Sequence, residues 1–85
     1  MVKELTLIAA SLIESGTELV FNERGTATPY VVEQHEKQGL YNGRLYTVKC
    51  VHPQYNGKIL NNVIIDVETS EGVKGLTYPF FKLPE

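Results

Sequence analysis

Two stretches decide the reading of this chain: Arg44-Leu-Tyr-Thr-Val-Lys-Cys-Val51 and Asn62-Val-Ile-Ile-Asp-Val-Glu-Thr69. Both are dense in β-branched and aromatic residues, which suit an extended, pleated backbone. Both are bounded by Asn, Gly and Pro, which end strands and supply turns. In an extended strand, alternate side chains face opposite sides. Tyr46, Val48 and Cys50 then share one side of the first run, and Val63, Ile65 and Val67 one side of the second. These six form the expected inward set. Ile64, Asp66 and Glu68 face the other way.

Working outward, Asn42-Gly43 is a strong turn signal that delivers the chain into Arg44. Pro53 is expected to end the first strand. The roughly ten residues between the two runs read as a protruding loop carrying the Tyr55-Asn-Gly-Lys58 turn, with Tyr55 near its tip. Thr69-Ser-Glu-Gly72 reads as a hairpin turn into a short returning strand, Val73-Lys-Gly-Leu-Thr-Tyr78. Tyr78-Pro-Phe-Phe81 is an aromatic segment that Pro79 shapes into a tight helical turn, and Lys82-Leu83 closes the sheet.

Before residue 40 the pattern is less regular. Leu5, Ile8, Ala9, Leu12 and Ile13 recur at helical spacing and predict an N-terminal helix that packs this stripe on the sheet, an extra strand being the alternative. Glu18-Leu-Val-Phe-Asn22 is a short strand candidate. Asn22-Glu-Arg-Gly25 reads as a turn or bulge and Thr26-Ala-Thr-Pro29 as extended chain. Pro29-Tyr-Val-Val32 suggests an edge strand or the start of a strand, and Glu33-Gln-His-Glu-Lys-Gln38 a solvated helical turn or a mobile loop.

The 85 residues, 42% of them hydrophobic, fit one small globular domain. A single cysteine excludes an intrachain disulfide and suits a reducing, cytoplasmic compartment. The apolar run at residues 5–13 is too short to span a membrane and lacks the basic start of a targeting segment. Net charge is −2. Residues 1–42 carry three basic and six acidic side chains, and residues 43–85 five basic and four acidic ones. That balance argues against strong nonspecific nucleic-acid binding, which needs a dense basic footprint.

From Gly39 onward the order of features resembles small SH3-like β-barrels, a group that includes short accessory proteins of bacterial viruses. The residues that carry the resemblance are Gly39-Leu-Tyr-Asn-Gly-Arg-Leu-Tyr-Thr-Val-Lys-Cys-Val51, residues 62–69, Glu71-Gly72 and Tyr78-Pro-Phe-Phe81, with Glu18-Leu-Val-Phe21 as an opening strand. The resemblance implies a mainly β fold: a small, partly open antiparallel barrel over residues 17–83, preceded by the N-terminal helix. It also implies a binding, scaffold or nucleic-acid role.

No catalytic constellation is evident. Cys50 and His52 alternate onto one strand face, with His35 or Asp66 as conceivable further ligands, but a lone Cys-x-His gives zinc two ligands where it needs more. Cys50 is therefore expected as a small buried hydrophobe and His52 as an ordinary strand-end histidine, with no metal or other cofactor. A buried thiol is also a poor nucleophile. Asp66 and Glu68, roughly 7 Å apart on one strand face, read as solvated acids.

The expected function is noncatalytic binding of a protein partner. Tyr30, Glu33, Glu36, Tyr41 and Tyr55 are its candidate contacts, because acidic groups around tyrosines suit a basic partner surface. The same surface could serve a homodimer, and an edge at residues 29–32 could accept a partner strand. The alternative is single-stranded nucleic acid, held by Arg44, Lys49, Lys58, Lys74 and Lys82 among aromatic residues. No membrane partner is expected.

Overall fold

A computed structural model describes residues 3–23 and 28–84. Along the chain run β1 (Lys3–Glu4), α1 (Leu7–Ser11), β2 (Glu18–Phe21), α2 (Pro29–Lys37), β3 (Leu45–Asn56), β4 (Ile59–Thr69), β5 (Gly72–Thr77), a 3₁₀ turn (Tyr78–Phe80) and β6 (Phe81–Leu83). The sheet is antiparallel and open, in the order β1-β6-β2-β3-β4-β5. The expected mainly β fold with a short helix near the N-terminus is thus present. Residues 24–27, within the expected turn and extended run, lie outside the described residues.

β3 belongs to two ladders. Its first residues pair with β2, Leu19 opposite Tyr46, and from Val48 to Asn56 it pairs with β4. Between Val48 and Cys50 the register shifts: Val48 faces Val67 and Cys50 faces Asp66, so Lys49 is an extra residue. Such a bulge bends a strand and resets the alternation of its side chains. Tyr46 and Val48 are buried before it, and Val51 packs against the core after it. Cys50 leaves the inward set. The other five members of that set, Tyr46, Val48, Val63, Ile65 and Val67, are all buried.

Pro53 does not end β3. The strand continues to Asn56, and the expected ten-residue loop is a hairpin closed by Gly57 and Lys58 alone. Proline is tolerated inside β3 because, over this length, the strand has only β4 beside it among the described residues. Gly57, with φ +64°, takes the left-handed conformation that a two-residue hairpin turn demands.

The helices depart further from expectation. Residues 29–32 form the first turn of α2, not an edge strand, and residues 33–37 continue that helix, in line with the helical alternative for that stretch and against the loop. Thr28 caps it: its Oγ1 accepts from Val31 N at 3.3 Å, and Pro29 occupies the first turn, where its missing N–H costs nothing. The β-branched Val31 and Val32 suggested a strand, but the Thr-Pro start outweighs them. α1 is one short turn capped by Thr6, whose Oγ1 accepts from Ala9 N. Of the expected stripe, Leu5, Ala9 and Ile13 do meet the core, but Ile8 and Leu12 do not. Ala10 is buried and Leu5 is buried ahead of the helix, while Ile8 and Leu12 face solvent at 70% and 74% exposure.

Leu19 and Phe21 of β2, Leu40, Phe81 and the inward residues of β3 and β4 make one core. His35 of α2 joins it, edge-on to Phe21 and Phe80 at 5.2 and 5.5 Å between ring centres. Its Nδ1 lies 3.4 Å from Glu23 Oε1. The Tyr46 hydroxyl donates to Gly39 O at 2.9 Å and accepts from Tyr41 N at 2.6 Å, tying the loop after α2 to β3.

Candidate functional site

The β3–β4 hairpin outruns its neighbours. β5 covers β4 only as far as Ile64, and β2 covers β3 only at its start. The remainder projects as a two-stranded arm on which residues 52–59 are all exposed. Counting from Val51, alternation sets Pro53 and Tyr55 on the core side of the hairpin, and Tyr55 pairs with the partly buried Leu60. The core ends before Tyr55, which is left 64% exposed, and Ile59 beside the turn is 74% exposed.

The outer face of the hairpin, at the root of this arm, holds three chemically distinct groups. Cys50 and His52 are two residues apart on one side of β3, and Asp66 lies directly across the ladder from Cys50. His52 Nε2 is 2.8 Å from Asp66 Oδ2 and 3.3 Å from Cys50 Sγ, and the thiol donates to the same Oδ2 at 3.4 Å. The Asp66 side chain is 24% exposed and that of His52 55%. Partial burial, the hydrogen bond to Asp66 and the Asp66 charge push the Cys50 thiol up from its ordinary value, against the charge of Lys49.

This corrects two expectations. Cys50 is not a buried hydrophobe, because the bulge at Lys49 turns it outward. Asp66 is not a free solvated acid, because it is engaged by His52 and Cys50. His35 takes no part, being held in the core by Phe21 and Phe80. The three groups do not form a nucleophilic relay. That would need thiol and carboxylate on opposite ring nitrogens of the histidine, whereas both lie against Nε2. A raised thiol pKa further keeps the reactive thiolate scarce.

The expected protein-contact residues fall on separate elements. Tyr30, Glu33 and Glu36 are exposed on α2, spaced by three so that they share a face, and Glu33 pairs with Lys37 at 3.5 Å. Tyr41 follows α2, half-buried, and Tyr55 is on the arm. No strand edge exists at residues 29–32. The five bases also come from separate segments, although the register sets Lys74 in the cross-strand row beside Lys49 and Lys82 in the row beside Arg44. Arg44, just before β3, sits over the Tyr41 ring at 4.4 Å. Lys49 is at the bulge, Lys58 in the turn at the far end of the same strand, Lys74 on β5 and Lys82 on β6. Lys82 lines an open hollow of about 460 Å³ together with Leu5, Thr6, Asn22, Tyr78, Pro79 and Phe81.

Among the described residues no helix is long and apolar enough to cross a membrane. No protein-family model, curated protein or solved structure matches the chain.

Proposed function

We propose that this chain is a noncatalytic protein-binding module that engages its partner through the free end of the β3–β4 hairpin. The observation that carries this reading is the exposure of Tyr55 and Ile59 on a projecting two-stranded arm. A hairpin without further strands is marginal in water, and an aromatic anchor beside an apolar one is the usual make-up of a binding hot spot. Beyond its pairing with β2, β3 has one edge with no strand beside it among the described residues, which adds main-chain groups that a partner strand can meet. Tyr30, Glu33 and Glu36 on α2, with Tyr41 after it, offer a second, acidic contact for a basic surface.

An SH3-like scaffold is part of the proposal. Its support is the run of β2, the long β3 shared between two ladders, the two hairpins that follow, and an aromatic 3₁₀ turn immediately before β6. The noncatalytic part of the proposal is supported at this cluster by the single-nitrogen geometry at His52, which gives no nucleophilic relay there. The free thiol of Cys50 agrees with a cytoplasmic setting. Single-stranded nucleic acid, the rival ligand, needs basic and aromatic groups along one groove, and the nuclease arm of the test below separates it from a protein partner.

The test is a photo-crosslinking residue at position 55, with the same probe at exposed Glu71 as control, in nuclease-treated and untreated lysate of the source cell. One protein adduct at position 55, absent at 71, insensitive to nuclease and suppressed by unlabelled wild type but not by the Tyr55→Ser/Ile59→Ser variant, is the expected result. A second copy of the chain counts as that protein. Equal labelling at both positions, or adducts that vanish with nuclease, would overturn the reading.

A further inference from the structure

We propose that Cys50, His52 and Asp66 form a binding site for a divalent transition-metal ion of the zinc class. One ligand atom from each residue, Sγ, Nε2 and Oδ2, turns toward the same small volume, all three lying within 4.8 Å of one another. A tetrahedral zinc ion with ordinary bond lengths would hold its sulfur and nitrogen ligands about 3.5 Å apart and its nitrogen and oxygen about 3.3 Å apart. The observed separations are 3.3 Å for Sγ to Nε2, 3.4 Å for Sγ to Oδ2 and 2.8 Å for Nε2 to Oδ2. Two are already at coordination spacing, and the third needs to open by about half an ångström.

The ligand types agree with the geometry. A thiolate with an imidazole favours zinc or cobalt over magnesium or calcium, which take oxygen ligands. One thiolate and one carboxylate balance the two positive charges. The ion displaces the thiol proton, and Nε2 coordinates once its ring proton is carried on Nδ1. Three protein ligands leave a fourth position for water on the exposed side of the sheet.

Two features of the fold build this arrangement. The extra residue Lys49 turns Cys50 to the outer face, where it meets His52 and Asp66. Across the next ladder, Gly75 pairs with Asp66, and a Cβ there would stand 2.5 Å from Asp66 Oδ1. The bare glycine gives that oxygen room while Oδ2 is turned toward Cys50 and His52. Both ligand-bearing segments are paired strands, which hold a site better than loops do.

The proposal is independent of the binding arm and is tested on the isolated protein. Chelator-treated, reduced full-length chain is titrated with cobalt(II), then with zinc against a chromophoric competitor. The expected result is one cobalt per chain, with a thiolate-to-metal band in the near ultraviolet and the intense visible bands of four-coordinate cobalt, all displaced by zinc. Cys50→Ser abolishes the thiolate band. His52→Ala and Asp66→Asn each weaken binding at least about tenfold, as even removing an outer-sphere partner does. All three side chains are off the core, and far-ultraviolet circular dichroism checks that each variant is folded. An unchanged near-ultraviolet spectrum at several-fold excess cobalt would overturn the proposal, as would cobalt binding that all three variants retain.

Discussion

Gly75 lies opposite Asp66 in the β4–β5 ladder, close enough that a side chain at 75 and the Asp66 carboxylate cannot both keep their places. The atom in the way is the far end of a side chain that can rotate, and Gly75 does not have positive φ. Gly75→Ala should therefore change folding stability by less than about 1 kcal/mol, since a strand-interior alanine recovers part of the strain. The same substitution should weaken cobalt binding, because the carboxylate must swing away. Urea unfolding and the cobalt titration on one preparation separate the two effects.

The Cys50 thiol offers a check on the metal-free geometry. Its pKa is raised by partial burial and by Asp66. At neutral pH its thiolate fraction is then below that of a cysteine in unfolded chain, and alkylation by iodoacetamide should be slower in the native protein than in urea. The native rate should keep rising at pH values where the unfolded rate has levelled. Asp66→Asn removes the negative charge that raises the pKa, so it should speed native alkylation at pH 7. A native rate at or above the unfolded one would contradict the observed contacts.

Tyr46→Phe tests the tie between β3 and the loop after α2. The hydroxyl serves both Gly39 O and Tyr41 N, and its loss leaves two main-chain groups without that partner. The expected cost is about 1–3 kcal/mol, read as a lower urea midpoint with unchanged slope.

Gly39→Ala should be similarly severe, for two reasons. Gly39 has φ +82°, and a Cβ there would stand 3.0 Å from Thr69 Oγ1. That hydroxyl is within hydrogen-bonding distance of Gln38 O, Gly72 O and Glu71 N, so it has little freedom to yield. We expect a loss of at least about 1 kcal/mol, in contrast to the mild effect at Gly75.

Tyr55→Ser combined with Ile59→Ser removes two exposed side chains of the arm. Stability should change by less than about 1 kcal/mol, as for substitutions on a solvated surface. A large loss would mean that the arm packs on its own chain, and the binding proposal would fall with it.

The two central strands were legible because alternation is local: Tyr46, Val48, Val63, Ile65 and Val67 are buried as their spacing predicts. The turn at Asn56-Gly57 and the aromatic turn at residues 78–80 were legible through Gly and Pro chemistry. The start of α2 was misread because Val31 and Val32 favour strands, while the Thr28-Pro29 cap that decides the matter carries a weaker compositional signal. Cys50, His52 and Asp66 were named from the sequence as conceivable ligands, but their meeting on the outer face of the sheet was out of reach. Unbroken alternation counts Cys50 inward, and only the pairing of β3 with a particular residue of β4 reveals that Lys49 is surplus. Side-chain periodicity belongs to one strand and is written in its residues. Register is a relation between strands, set by how two ladders share β3, and it is that relation which moves a thiol from the core to the surface and sets it beside a histidine and a carboxylate.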